Sequence, residues 1–291
     1  MRRSLLFIPG NQANMIQNGM VLDTDALIFD LEDSVLPRDK DAARDLVASA
    51  LLRLDFGKRE RIVRVNDMKS GWVRDDLLAV LPAGCQTVLL PKAEGEEDIR
   101  TLDALLLEIE EKEGLPPGTT GIIALIETAM GVEKALETAS ASSRMTALAL
   151  GAEDLAADLG CPRTLSGNEI FYSRSRLLVA ARAAGIEALD TPFTDARDLT
   201  GLEEDIQTAK SLGFTGKLSI SPHHLETIHR VFTPSEDEVA RALDTVRAME
   251  GGKAGAVSLG GRMIDAPVLR QAEAVLERAR ASGLLKEDDH D

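Results

Sequence analysis

At 291 residues, 44% of them hydrophobic, the chain has the length of a single α/β barrel, about 250 residues, and enough apolar content for its core. A net charge of −16 argues against nucleic acid as a partner, because gripping a phosphate backbone takes clustered Lys and Arg. Two isolated cysteines, Cys85 and Cys161, make neither a disulfide framework nor a zinc site, and no stretch approaches the roughly 20 apolar residues of a membrane span.

The chain opens with Met1-Arg2-Arg3 and an apolar run that stops at Pro9-Gly10, too short for an export signal, so a soluble cytoplasmic protein is expected. From that run onward, short β-rich apolar segments alternate with helical patterns. The strands are expected at 4–8, 26–30, 61–65, 87–90, 121–126, 146–150, 187–189 and 216–220. Helical periodicity lies between them, at 39–54, 96–113, 131–140, 169–184 and 199–212. Strands that are apolar throughout belong to a parallel sheet buried on both faces, and eight strand–helix units close into a (β/α)8 TIM barrel. The rival architecture, an open doubly wound sheet, usually announces itself by G-x-G-x-x-G after the first strand, which is absent here.

Two more helical patterns, 235–249 and 267–282, follow the eighth strand and flank the glycine-rich stretch 251–261. The expected organisation is therefore a barrel over 1–230 and a C-terminal helical extension over 231–291. Such an extension buries little surface alone and should pack on its own barrel or on a neighbouring subunit. The acidic tail 287–291 reads as solvated.

Catalytic groups of an α/β barrel come from the C-terminal ends of its strands. Five consecutive strand ends here carry charge: Asp30-Leu31-Glu32-Asp33, then Arg64, Lys92, Glu127 and Glu153-Asp154. Any one of these reads as the first solvated residue of a loop; five on one face read as a site. Glu127 and Asp154 sit just past adjacent strands and are the metal candidates. Mg²⁺ takes one or two carboxylates and completes its octahedron with water and substrate oxygens, while the lack of nearby His and Cys disfavours zinc or copper. The structural alternative is a carboxylate pair bridged to Arg64 or Lys92. Arg64 lies within a Val/Ile strand, so burial obliges it to meet a carboxylate, Glu32 or Asp33, or a substrate oxygen. His223 and His224 end the eighth strand, with His224 expected to cap or line the next helix. His229 and His290 read as surface residues, and Trp72 and Tyr172 as packing residues.

Arg3-Ser4-Leu5-Leu6-Phe7-Ile8-Pro9-Gly10-Asn11, Phe29-Asp30-Leu31-Glu32-Asp33-Ser34-Val35, Arg64-Val65-Asn66, Leu90-Pro91-Lys92, Ile126-Glu127-Thr128 and Gly151-Ala152-Glu153-Asp154-Leu155 together resemble the citrate lyase β-subunit family, within the wider HpcH/HpaI aldolase and malyl-CoA lyase group. The resemblance runs from Arg3 to about Arg270. It implies the same barrel, Mg²⁺ (or Mn²⁺) on Glu127 and Asp154, and substrate contacts from Arg64, Glu127 and Lys92. It also implies that Asp265, in Met263-Ile264-Asp265-Ala266-Pro267, reaches a neighbouring subunit's site in a homotrimer or homohexamer.

The chemistry implied is retro-Claisen cleavage of a 3-hydroxyacyl-CoA of the citryl-, malyl- or citramalyl-CoA type, with CoA as part of the substrate. Glu32, Asp33 and Asp265 are the acid–base candidates, Asp265 at the enolate carbon. Two stretches depart from the relatives. Met15-Ile16-Gln17-Asn18-Gly19 lacks a lysine common in the first helix, and Ile220-Ser221-Pro222-His223-His224 replaces an Ile-His-Pro pattern. Both fall where CoA and acyl specificity would be read. The alternatives are a malyl-CoA-type thioester hydrolase, a CoA-independent aldolase that forms pyruvate, and a partner-dependent citrate lyase subunit.

Overall fold

Short segments rich in Leu, Ile, Val and Ala become most of the strands, buried on both faces, one filling the barrel and the other meeting helices, although the last, Gly216–Ser219, buries Lys217 as well. The computed structural model describes residues 1–250, 257–259 and 262–285. Its strands β1 (Ser4–Pro9), β2 (Ala26–Asp30), β3 (Glu60–Arg64), β4 (Thr87–Leu90), β5 (Gly121–Ile126), β6 (Met145–Leu150), β7 (Glu187–Asp190) and β8 (Gly216–Ser219) pair in chain order. All are parallel, and β1 closes on β8 through Ser4, Leu5 and Leu6 opposite Lys217, Leu218 and Ser219. The barrel is closed, as the strand count requires, and the open-sheet alternative falls. Leu5, Ile28, Ile62, Leu89, Ile123 and Leu218 are among the side chains that fill its interior, each contributing roughly 1.5–3 kcal/mol.

The helices are α1 (Ala13–Asn18), α2 (Lys40–Arg53), α3 (Val73–Val80), α4 (Glu96–Glu113), α5 (Ala129–Glu133), α6 (Ala135–Ser140), α7 (Ala152–Asp158), α8 (Phe171–Ala184), α9 (Leu199–Leu212), α10 (Leu225–Phe232), α11 (Glu236–Glu250) and α12 (Ala266–Ala281). The helix expected over 131–140 is two, because Lys134 sits in the bridge region at φ −93°, ψ 12°. Four short helices, α1, α3, α7 and α10, add to the expected set. α4 shows the usual end signals: Glu96, Glu97 and Asp98 in its first turn, and Gly114 left-handed at its end.

The N-terminal face of the barrel is laced by ion pairs. Arg2 bridges Glu60 at 2.6 Å and Glu187 at 2.5 Å, and Arg3 meets Asp25 at 2.7 Å. Gly216 begins β8 because a Cβ there would stand 1.8 Å from the Arg2 carbonyl oxygen. His229 belongs to this face and is not the surface residue expected: its side chain is only 12% exposed, with Nε2 2.7 Å from Ser4 Oγ. Burial, chiefly, lowers its pKa. The α10 sequence alone does not show that one of its turns lies over the start of β1.

The chain divides into two compact units, Arg2–His229 and a second made of Arg230–Asp291 with Met1. Within the second, α11 and α12 pack through Val239, Ala242, Ala272, Leu276 and Ala279. The glycine-rich stretch holds more than a joint. Its described part and the residues after it form an antiparallel ribbon, β9 (Val257–Leu259) on β10 (Arg262–Ile264). The rest of that stretch, the 287–291 tail and His290 lie outside the described residues. No described helix is long and apolar enough to cross a membrane.

Candidate active site

The parallel register of β2 on β3 sets Asp30 opposite Arg64, each at the last position of its strand. Arg64 forks onto that carboxylate, Nε to Oδ1 at 2.7 Å and Nη2 to Oδ2 at 2.8 Å. Asp30 also accepts from the backbone N–H groups of Glu32 at 2.9 Å and Ser34 at 3.1 Å. Burial pushes the Asp30 carboxyl up, but the Arg64 hydrogen bonds and charge outweigh it and hold the group below the usual carboxylate range. The expected partners come second. Arg64 Nη1 stands 3.0 Å from Glu32 Oε2 and 3.7 Å from Asp33 Oδ2. Glu32 Oε2 is nonetheless buried without a hydrogen-bond partner, so that contact is charge attraction without hydrogen-bond alignment. The Phe7 ring lies 5.0 Å from the Arg64 guanidinium carbon.

Lys92 serves two neighbours. Among the described residues it is the one non-glycine with a positive φ, +52°. This left-handed turn sends its backbone N–H to Glu127 Oε1 at 2.9 Å, while Nζ donates to Glu32 Oε1 at 2.6 Å. A strained backbone held in place at a strand end is a common mark of a functional site. Burial opposes the ammonium charge, but Glu32 outweighs it and raises the Lys92 pKa. Burial raises the Glu32 carboxyl against the pull of Arg64 and Lys92.

Glu127 follows β5 and Asp154 is the third residue of α7, after β6. Both line a cavity of about 430 Å³ with Phe7, Asp30, Asp33, Arg64, Gly151 and Thr191 among its walls. Glu127 is 3% exposed, and burial, reinforced by the charges of Asp154 and Glu32, pushes its carboxyl up to about 8. Neither Glu127 nor Asp154 forms an ion pair with a described Lys, Arg or His; Arg64 and Lys92 are engaged by Asp30 and Glu32. Gly151 packs directly on Glu127: a Cβ there would stand 2.5 Å from Oε2.

Two carboxylates on one cavity, neither in an ion pair with a described residue, are a fitting donor set for a hard divalent cation. Among the described residues no three His, Cys, Asp or Glu side chains form a metal cluster by themselves. A cation between Glu127 and Asp154 would therefore complete its shell with substrate and water oxygens.

Asp30 stands among the charged strand ends of the sequence but not among the partners expected for Arg64, and it is the residue that holds it. Asp265 belongs to the C-terminal unit, where its carboxylate accepts the Val268 N–H at 3.2 Å and caps α12. His224 is fully buried in the turn before α10, its Nε2 3.3 Å from the Asp195 carbonyl oxygen. Trp72 is partly buried with Lys40 Nζ 5.4 Å from its ring, but Tyr172 is no packing residue: it is 60% exposed and donates to Glu133 Oε1 at 3.2 Å. One helical position shifts Tyr172 to the solvent side of α8.

The sequence model of the HpcH/HpaI aldolase/citrate lyase family matches residues 3–222. The citrate lyase subunit beta of Escherichia coli (strain K12) is 42% identical over 289 residues, covering 98% of this chain and 96% of that one. The mitochondrial citramalyl-CoA lyase of Mus musculus is 33% identical over 293 residues, covering 96% and 86%. Among solved structures, protein CitE from Mycobacterium tuberculosis in complex with magnesium, acetoacetate and coenzyme A superposes with a TM-score of 0.79 at 32% identity, covering 96% of this chain and 98% of that one.

Proposed function

The chain belongs to the HpcH/HpaI aldolase/citrate lyase family and is a carbon–carbon lyase, and from that premise we propose that it cleaves a 3-hydroxyacyl-CoA of the citryl-, malyl- or citramalyl-CoA type into an acyl-CoA and a 2-keto acid. The observation that carries the reading is the pair formed by buried Glu127 and half-buried Asp154, which share one cavity while neither is in an ion pair with a described residue. Mg²⁺, or Mn²⁺ in its place, would be held by these two carboxylates and supplies Lewis-acid polarisation of the substrate's oxygen atoms.

The chain's own groups account for the rest. Arg64, fixed by Asp30, adds positive charge beside the substrate oxygens. Cleavage removes the 3-hydroxyl proton and breaks the C2–C3 bond. Its electron pair passes into the thioester enolate, and an acid protonates C2. Glu32 and Asp33 are the candidates at the hydroxyl. Lys92 holds Glu32 by one oxygen and leaves the other without a hydrogen-bond partner. Asp265 is the candidate at the enolate carbon, supplied by a neighbouring subunit in a homotrimer or homohexamer whose 231–291 extension packs across the interface. The setting proposed is cytoplasmic.

The test is product analysis. Purified protein, Mg²⁺ and a panel of hydroxyacyl-CoA esters are expected to yield acetyl- or propionyl-CoA and a keto acid. Free CoA with intact hydroxy acid would make it a thioester hydrolase, and cleavage of a free hydroxy-keto acid to pyruvate a CoA-independent aldolase. A second reading, a partner-dependent subunit, is favoured by the Escherichia coli relative's name, citrate lyase subunit beta; it requires the purified chain alone to be inactive on every ester.

A further inference from the structure

α7 carries Asp154 in its first turn, yet its N-cap is Gly151, with no side chain to cap the exposed amides. The usual capping residues, Ser, Thr, Asp and Asn, are disfavoured at that position, because any Cβ there would lie 2.7 Å from Glu127 Cβ as well as 2.5 Å from its Oε2. The missing cap comes from the next strand. Thr191, one residue past β7 and fully buried, accepts the Ala152 N–H on Oγ1 at 3.0 Å. Its own backbone is anchored through Asp190, which takes Arg174 Nε at 2.9 Å and Lys217 Nζ at 2.6 Å. The β6–α7 turn is thus held at two points. Gly151 N–H donates to the Ile126 carbonyl at 2.9 Å beside Glu127, and Ala152 N–H is held by Thr191.

We propose that Thr191 is a positioning residue: by capping α7 from β7 it sets the Asp154 carboxylate against Glu127, and so fixes the spacing of the metal pair. The inference rests on the metal reading of that pair. Partners that orient metal ligands typically change metal affinity about 10–100-fold when removed. Thr191→Val keeps the side-chain shape and deletes the hydroxyl acceptor.

The experiment is Mn²⁺ binding to the full chain, followed by electron paramagnetic resonance of the free ion, with melting temperatures recorded alongside. Thr191→Val is expected to weaken Mn²⁺ binding about 10–100-fold. Thr191→Ser is expected to stay within about threefold of the parent, since Ser and Thr hydroxyls cap alike. A purely structural cap would instead lower the melting temperature and leave the affinity of the folded fraction alone. Wild-type affinity in Thr191→Val, or an equal loss in Thr191→Ser, overturns the proposal; if Thr191→Val does not fold, Thr191→Ala reads the same quantity. Glu127→Ala and Asp154→Ala separate the two failures. Retained binding in both removes the metal reading and this inference with it, whereas their loss of binding beside an unaffected Thr191→Val removes the positioning role alone.

Discussion

Glu127→Gln should make the metal-free protein more stable while abolishing its response to Mg²⁺. Burial and the charges of Asp154 and Glu32 raise the carboxyl from 4.5 to about 8 in the folded state. At pH 7 the native chain therefore holds a proton that the unfolded chain has released. Each pH unit between 4.5 and 7 costs about 1.4 kcal/mol, so the carboxylate destabilises the metal-free fold by about 3 kcal/mol at pH 7. The sign follows from linkage: the native state binds more protons across this window, so stability is whole below pH 4.5 and lost as pH rises towards 8. Glutamine keeps the acceptor for the Lys92 N–H and carries no charge to bury.

Thermal melts in chelator at pH 4.5, 7 and 8 read this directly. Parent and variant should coincide at pH 4.5 and diverge above it. At pH 7 the variant should melt higher by about 5 °C, taking an unfolding entropy of about 2.1 cal/mol/K per residue. Added Mg²⁺ should raise only the parent's melting temperature, by mass action on the native state. Calorimetry in buffers of different ionisation enthalpy should find close to one proton released per Mg²⁺ bound at pH 7. Parallel melting curves at all three pH values, or a variant still stabilised by Mg²⁺, would refute the reasoning.

Asp30→Ala strips Arg64 of its two-point partner and leaves a buried guanidinium, which should cost about 3–5 kcal/mol in chemical denaturation; a loss under 1 kcal/mol would mean that Glu32 takes over. Arg64→Lys keeps the charge but loses the fork, and kcat/KM should fall by about 10²–10³, with parental kinetics counting against a substrate role. Gly151→Ala places a Cβ 2.5 Å from Glu127 Oε2 and should lower stability by about 1–3 kcal/mol while weakening Mg²⁺ binding. Asp265→Asn and Glu127→Gln oligomers, each inactive, should regain activity after subunit exchange if Asp265 serves a neighbour's cavity; no recovery in verified mixed oligomers counts against that assignment.

The barrel was legible because its doubly buried strands are mostly short apolar segments set between helical patterns, and eight such units leave little choice of architecture even though β7 and β8 also bury Asp190 and Lys217. The ribbon Val257–Leu259 with Arg262–Ile264 was not, since three-residue strands carry too little pattern to stand out in a glycine-rich stretch. The candidate site is legible by residue type and less so by pairing. Sequence offers Arg64 three acids within four residues, and nearness to the loop favours Glu32 or Asp33. The deciding fact is register: β2 and β3 both end on the ionic residue, which makes Asp30 and Arg64 a cross-strand pair. Aligning the last apolar residues of adjacent strands would have found it. The left-handed Lys92, the Gly151 approach to Glu127 and the Thr191 cap depend on contacts between segments tens of residues apart, and no local pattern encodes them.

The two faces of the barrel use the same residue types differently. On the N-terminal face Arg2 meets two carboxylates, Glu60 and Glu187, and Arg3 a third, Asp25, so each of these charges lies in an ion pair. At the mouth Arg64 and Lys92 are taken by Asp30 and Glu32, which leaves Glu127 and Asp154 without an ion pair of their own. Lys40 Nζ is itself turned onto the carbonyl oxygens of Leu31 and Glu32 at 2.6 and 2.7 Å, so it neutralises the pair at Glu127 least of all. A fold under selection for stability alone would replace one of two acids that repel each other in a shared cavity, because burying an uncompensated charge costs several kcal/mol. A divalent cation held between them would supply the positive charge that their neighbours do not. That balance explains why the charge deficit falls at Glu127 and Asp154, and why relieving it with glutamine should strengthen the fold and disable the site.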